Sequence, residues 1–157
     1  MANHEPITPE IRAVIGQVSG PFALELTRTS CRAFARAVGY TDPIFYDADA
    51  AQAAGHRDIP APPGYLGTWP WSPSNSENRQ FVEEIPTTLG RRLNGGTELE
   101  YYSTPCAGDT LTVEGIIVEV SAKETSMGIT LIVTREVEFR DRDGSLVARL
   151  RGTSMRY

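Results

Sequence analysis

The sequence is poor in the residues that build metal sites and disulfide frameworks. It contains two histidines, His4 and His56, and two cysteines, Cys31 and Cys106, and neither histidine has a histidine or cysteine nearby in sequence. Ligand spacing typical of zinc is therefore absent, and two cysteines do not make a disulfide framework. We expect no metal, and we expect both cysteines to be small buried apolar residues of a reduced, cytoplasmic protein.

Long apolar runs and basic runs are also missing. No stretch approaches the roughly 20 apolar residues of a membrane helix, and residues 1–10 are too polar for a signal peptide. The net charge is −5 and the 15 Lys and Arg residues are scattered along the chain. We therefore expect a soluble protein that binds neither membranes nor nucleic acid.

The patterns that are present predict one α+β domain over residues 1–157, with helices first and strands later. Apolar residues at helical spacing from Cys31 to Val38 predict a helix that Thr29 or Ser30 caps and Gly39 ends. Asp47 is placed to cap an alanine-rich helix over 48–54 that ends at Gly55. A third, apolar helix is expected to begin near Pro63–Leu66, because proline is tolerated at a helix start.

Alternating apolar residues predict the strands. The predicted strands span residues 22–27, 97–102, 110–120, 129–139 and 146–157. In the strand over residues 110–120, the apolar residues change from one face to the other at Gly115, which predicts a bulge there. Residues 141–144 read as a hairpin turn, so the last three strands form an antiparallel meander. We predict an antiparallel sheet wrapped around the third helix, which buries its apolar face.

Two runs of residues carry a family resemblance. The first is Gly39-Tyr-Thr-Asp-Pro-Ile-Phe-Tyr-Asp47 with the alanine-rich segment to Gly55, followed by Ala61-Pro-Pro-Gly64. The second is Leu93-Asn-Gly-Gly-Thr-Glu98, then Pro105-Cys-Ala-Gly-Asp109. This ordered set resembles the MaoC-like hydratase/dehydratase family, whose signature is Gly-Asp-x-Asn-Pro-x-His-x-Asp, and in particular its N-terminal-type domains and the accessory subunits of (3R)-hydroxyacyl carrier-protein dehydratases.

The resemblance implies a hot-dog fold and reversible hydration of an enoyl thioester. It implies no metal or organic cofactor, with the substrate carried on coenzyme A or phosphopantetheine. The family's catalytic aspartate and histidine positions, however, hold Tyr40 and Phe45 here. Phenylalanine transfers no proton, and a tyrosine, with a pKa of about 10, needs a large shift to act as a base near neutral pH.

Three interpretations stay open. The chain is the acyl-binding partner in a heterodimer with a catalytic hot-dog subunit, or a non-enzymatic acyl-binding module. Alternatively it is a homodimeric enzyme that uses displaced groups for dehydration, cyclisation or thioester hydrolysis. Its catalytic candidates are then Asp42, Tyr46 and His56, with Tyr40 as a weaker one. A dimer is expected in either enzyme form, because an open sheet edge needs a partner.

The candidate substrate-binding residues lie outside the first motif. Backbone N–H groups of Gly64 and Tyr65, after Pro63, are placed to stabilise a thioester oxyanion at the start of the third helix. Trp69 is a candidate wall for the acyl chain. Asn94 and Gly95 form a turn that would let a pantetheine arm approach the backbone.

Overall fold

A five-stranded antiparallel sheet dominates the computed structural model, which describes residues 7–68 and 85–157. The strands are β1 (Val18–Glu25), β2 (Arg92–Tyr101), β3 (Thr110–Thr125), β4 (Gly128–Arg140) and β5 (Leu146–Arg156). Their order in the sheet is β1-β3-β4-β5-β2. The predicted meander of the last three strands is confirmed, and β1 and β2 lie at the two edges.

The helices of the first half of the chain are short. They are α1 (Pro9–Arg12), α2 (Arg28–Val38) and α3 (Ala48–Ala53). Asp47 caps α3 as predicted, and Gly39 ends α2 in the left-handed conformation, with φ 81°. No helix in the described ranges is long and apolar enough to cross a membrane.

The cap of α2 differs from the prediction. Thr27, rather than Thr29 or Ser30, is the N-cap: its hydroxyl accepts a hydrogen bond from the Ser30 N–H at 3.0 Å. The Ser30 hydroxyl in turn accepts one from the Thr27 N–H at 3.2 Å. Two hydroxyls three residues apart satisfy two helix-end donors at once, so this reciprocal pair is favoured over either single cap.

The main core lies between the inner face of the sheet and the segment that approaches the third predicted helix. Its least exposed large side chains include Phe139, Leu111 and Val137 from the sheet, with Ile59 and Leu66 from that segment. Only a 3₁₀ turn, Tyr65–Gly67, is described where the third helix was expected to begin. The remainder of the predicted helix, with Trp69, lies outside the described residues.

The irregularity in β3 falls three residues after the predicted position. Gly115 pairs regularly with Val137, and the register of β3 against β4 shifts between Ile117 and Glu119. Every second residue of β3 therefore remains buried through Gly115 as far as Ile117. Ile117 is 7% exposed, whereas Ile116 is 37% exposed. The sequence misplaces the bulge because two adjacent isoleucines fit either phase.

Ile129 has the strand parity of Phe139 on β4, but it lies at the exposed end of that strand. It is 50% exposed, while Phe139 at the other end of the strand is 1% exposed. Ile129 directly follows the hairpin at which Thr125 pairs with Gly128.

Candidate active site

The run from Gly39 to Asp47 folds as a tight loop between α2 and α3. Asp42 caps a 3₁₀ turn, Pro43–Phe45, by accepting a hydrogen bond from the Ile44 N–H at 3.1 Å. The Tyr46 hydroxyl donates to the Tyr40 carbonyl oxygen. Arg32 Nε donates to the Tyr46 carbonyl oxygen at 2.8 Å. Three of the predicted catalytic candidates therefore take part in the hydrogen bonds that hold this loop.

Aromatic rings occupy the two positions at which the family signature has a carboxylate and an imidazole. The rings of Tyr40 and Phe45 have centroids 5.3 Å apart and are tilted by 32°. The Tyr40 hydroxyl donates to the Pro63 carbonyl oxygen at 3.3 Å. This contact connects the loop to the start of the Tyr65–Gly67 turn, so the structure brings Tyr40, Phe45 and Pro63 together.

Hydrogen bonds hold the proline-rich segment against the loop before β3. The Ala61 N–H donates to the Pro105 carbonyl oxygen, and the Ala107 N–H to the Ile59 carbonyl oxygen, each at 2.8 Å. Gly64 then takes a left-handed conformation, with φ 87°. A side chain is strained at that φ, so glycine suits the point at which the chain turns into Tyr65.

The Tyr65 ring anchors this turn in the core. It packs edge-on against Phe34, with centroids 5.6 Å apart, and its hydroxyl donates to Ser30 Oγ at 2.9 Å. Burial raises the pKa of Tyr65 above its usual value. The Tyr65 N–H, one of the two predicted oxyanion donors, is bonded within the turn to the Pro62 carbonyl oxygen at 2.9 Å.

Tyr101, which the sequence analysis did not select, meets the same turn from the end of β2. Its side chain lines one cleft with Ala61 and Pro63. Burial raises the pKa of Tyr101 above its usual value. The hydroxyl therefore stays protonated at neutral pH. No sequence motif marks Tyr101, because only strand pairing carries it to a turn more than 30 residues away.

A cleft of about 340 Å³ opens beside this turn. It is lined by Ala61, Pro63, Tyr101, Tyr102, Ser103, Thr104 and Pro105. Among the predicted substrate-binding residues that the structure describes, only Pro63 lines it. The Tyr102 hydroxyl points elsewhere, donating to Glu100 Oε2 at 2.6 Å.

The predicted pantetheine residues, Asn94 and Gly95, do not form a turn before a strand: both lie within β2, at the end away from Tyr101. Asn94 lines a second cleft of about 330 Å³, whose walls also include Gly67, Thr97 and Arg135. Seven residues of strand separate Asn94 from Tyr101, roughly 20 Å. The structure thus divides the predicted binding residues between two regions. A Cβ at Gly95 would come within 3.2 Å of the Thr153 carbonyl oxygen, so glycine allows close strand pairing there.

His56 follows the C-terminal end of α3. Its backbone N–H donates to the Ala51 carbonyl oxygen at 3.0 Å and closes the C-terminal end of α3. Its side chain is partly exposed. It precedes two charged residues that fix the proline-rich segment.

Those residues, Arg57 and Asp58, form paired ion contacts. Arg57 binds both carboxylate oxygens of Asp109, at 2.9 and 2.8 Å. Asp109 Oδ2 also accepts a hydrogen bond from the Cys106 N–H at 2.9 Å. Arg28 binds Asp58 in the same two-pronged manner, at 2.9 and 2.8 Å. Both contacts lie at the base of the segment that leads to Pro63.

Acidification should destabilise the protein through these carboxylates. Arg28 lowers the pKa of Asp58. At Asp109 burial acts in the opposite direction, but Arg57 and the Cys106 N–H together lower its pKa. A lowered folded-state pKa contributes stability that is present above the unfolded value of about 3.9 and is lost as pH falls through the folded pKa. We expect the melting temperature to fall below about pH 4.

Two variants test whether the Arg57–Asp109 ion pair contributes to this loss of stability in acid. Asp109→Asn and Arg57→Gln should each lower stability at pH 7 by about 1 kcal/mol, or about 2–4 °C in Tm, because the Arg57 side is exposed to solvent. Each should also flatten the acid side of a Tm-against-pH curve measured by circular dichroism. An acid slope unchanged in both variants would show that this ion pair does not contribute to it.

Comparisons with known proteins define the class. A family model described as "FAS1-like, dehydratase domain region" matches residues 13–150. A UPF0336 protein of Clavibacter michiganensis is 31% identical over 144 residues, 90% of each chain. A UPF0336 protein of Streptomyces griseus is 33% identical over 125 residues, 80% of this chain and 79% of that protein. A probable enoyl-CoA hydratase alpha subunit of Thermomonospora curvata is 26% identical over 140 residues, 80% of this chain and 43% of that protein.

Solved structures agree on the fold. The HadBC (3R-hydroxyacyl-ACP dehydratase) complex of Mycobacterium tuberculosis superposes with a TM-score of 0.72 at 24% identity, covering 90% of this chain and 96% of that one. The ChsH1–ChsH2 complex of the same organism gives 0.74 at 20% identity, covering 98% and 94%. The fold is therefore the predicted hot-dog fold. The chain belongs to the FAS1-like dehydratase-domain family of MaoC-like hot-dog proteins.

Proposed function

We propose that this chain is the acyl-binding subunit of a two-chain hot-dog enzyme that interconverts enoyl and (3R)-3-hydroxyacyl thioesters. A second hot-dog subunit would supply the aspartate and histidine. The observation that carries the proposal is the packed pair Tyr40–Phe45, which occupies the signature positions in a member of a dehydratase family. Phenylalanine cannot transfer a proton, and this reaction normally uses an imidazole beside a carboxylate, neither of which these two positions supply.

The hydrogen bonds of the other candidates support the same conclusion. The Asp42 carboxylate caps the 3₁₀ turn, and the Tyr46 hydroxyl is bonded to the Tyr40 carbonyl oxygen. Both side chains therefore have structural roles in this loop. His56 belongs to the end of α3, where its backbone N–H bonds to the Ala51 carbonyl oxygen.

The open edge of the sheet supports a partner. β2 is bonded on one side to β5 and has no strand on its other side within the described residues. Such an edge is a template for pairing with another chain. The related HadBC and ChsH1–ChsH2 structures are complexes.

We propose that the substrate arrives on coenzyme A or a phosphopantetheine arm, without a metal or organic cofactor, and that the enzyme is cytoplasmic.

Turnover measurements test the proposal. The purified chain is mixed with crotonyl and longer enoyl thioesters, and loss of the enoyl absorbance is followed. We expect no turnover by the chain alone, and turnover after addition of a hot-dog subunit that carries aspartate and histidine at the signature positions. Turnover by the chain alone that Asp42→Asn or His56→Ala abolishes would instead establish an autonomous enzyme.

A further inference from the structure

The two edge strands of the sheet differ in how well they could pair with another chain. β1 contains Pro21, which has no N–H for a ladder bond, and its register against β3 shifts between Ser19 and Phe22. Proline and irregular pairing both prevent a further strand from joining an edge. β2 contains no proline, and each of its ten residues except Leu99 is exposed. β2 is therefore the edge that is suited to extend the sheet.

The charges on the outer face of the sheet alternate from strand to strand. Acidic, basic and acidic side chains lie opposite one another across β4, β5 and β2. The two rows are Glu136–Arg151–Glu98 and Glu138–Arg149–Glu100. An ion pair joins β4 to β5 in each row, at 2.6 Å in the first and 3.0 Å in the second. Both rows end in an exposed carboxylate of β2, so a strand added at this edge would meet negative charge.

A second copy of this chain matches that edge poorly. Two copies related by a two-fold axis would pair antiparallel through β2, and directly opposite residues lie on the same face of a sheet. An axis at Leu99 places Glu98 of each copy opposite Glu100 of the other, and an axis at either glutamate places that residue opposite its counterpart. An axis at Thr97 leaves the two Glu98 side chains diagonal and still within reach of each other. Self-pairing over this part of β2 therefore brings like charges together, which is destabilising.

We propose that β2 pairs with the edge strand of a different hot-dog chain that presents Lys or Arg opposite Glu98 and Glu100, and that these two glutamates select it over a second copy. The inference rests on the proposed function for the class of the partner. A basic strand would continue both rows of alternating charge, whereas a second copy would interrupt them. Leu93 and Tyr102, which are 46% and 49% exposed, are available to either partner. The charges rather than the apolar surface of β2 therefore discriminate between the two.

A charge-swap mixture tests the proposal with this chain alone. Glu98→Lys combined with Glu100→Lys gives an edge with the charges expected of the partner. The full-length variant, fluorescently labelled, is mixed with the wild-type chain and followed by sedimentation velocity at low salt. We expect the two to associate at least about tenfold more tightly than either does with itself, because repulsive pairs become attractive. Most of this difference should disappear in 1 M salt, where the Debye length is about 3 Å.

Two further double variants serve as controls. Glu114→Lys with Glu119→Lys changes the net charge equally, but on β3, which is paired on both sides and cannot accept another strand. Its mixture with the wild-type chain should show no comparable gain. Glu98→Gln with Glu100→Gln removes the repulsion without reversing it, and should self-associate about threefold more tightly than the wild-type chain. Circular dichroism and thermal melting establish folding, and the glutamine variant decides the test if the lysine variant does not fold.

Each outcome bears on the selection of a partner by these glutamates. Wild-type self-association as tight as that of the mixture would make a second copy the occupant of this edge and would overturn the proposal. A mixture without the gain, or a glutamine variant that associates no more tightly than the wild-type chain, would show that the glutamates only protect the edge from pairing. That result would overturn the proposal as well. Neither experiment measures turnover, so the enoyl-thioester assay remains a separate test of the proposed function.

Discussion

Replacing Phe139 with alanine is expected to lower the free energy of unfolding by about 3–5 kcal/mol. Phe139 is 1% exposed and belongs to the core that joins the sheet to the segment carrying Ile59, Tyr65 and Leu66. The cavity left by the ring cannot close fully, because side chains from both layers surround it. The free energy of unfolding of native proteins is about 5–15 kcal/mol, so this substitution should remove a large fraction of it. Urea unfolding followed by circular dichroism measures the change.

Ile129→Ala is the matched control for this prediction. Ile129 lies on β4 and has the strand parity of Phe139, but it is 50% exposed. We expect its replacement to cost less than about 1 kcal/mol, because little apolar surface returns to water. Equal losses from the two variants would contradict the described core.

In the assembled two-chain enzyme, we expect the partner's catalytic histidine to matter far more than the candidates of this chain. Removing that histidine should lower kcat by about 10²–10⁴-fold, the usual contribution of a general acid or base. Asp42→Asn and His56→Ala in this chain should change kcat by less than about threefold. Asparagine caps a helical turn as well as aspartate does, so Asp42→Asn tests chemistry with little effect on folding. Steady-state hydration of an enoyl thioester gives the values.

The pH dependence provides an independent readout of the same prediction. If a histidine of the partner is the titrating group, the bell-shaped profile of kcat should be unaffected by His56→Ala. A profile that loses one limb in His56→Ala, or a hundredfold fall in kcat with Asp42→Asn, would assign catalysis to this chain. The homodimeric interpretation would then replace the heterodimeric one.

The substitutions at positions 40 and 45 and the position of Tyr101 have a common consequence. Together they give the chain an aromatic region where the family signature provides proton-transfer groups. Tyr40, Phe45 and Tyr101 approach the turn around Gly64 from a loop and from a strand. Such a region can pack and can accept hydrogen bonds, but no group in it is suited to remove a weakly acidic proton at neutral pH.

Local signals were sufficient to predict much of the fold. The caps at Asp47 and Gly39 and the hairpin at residues 141–144 were predicted correctly, because a side-chain oxygen or a missing Cβ acts within a few residues. The alternation of apolar and polar residues predicted the three-strand meander for the same reason, because strand periodicity depends on neighbouring residues. The departures at Tyr40 and Phe45 were also visible in the sequence.

Other features depended on contacts between distant segments. The bulge at Val118 was misplaced to Gly115, because the pairing of β3 with β4 decides which of two adjacent isoleucines is buried. The exposure of Ile129 depends on which part of the sheet other elements cover.

The sequence by itself determined the family and the absence of an aspartate and a histidine at its signature positions. Only the tertiary structure decided which groups surround the turn at Gly64. Tyr101 shares a cleft with Pro63 because β2 pairs with β5 and its end meets the turn, a contact between residues more than 30 positions apart. A backbone N–H looks equally available at every position of a sequence, and only folding shows which oxygen it meets.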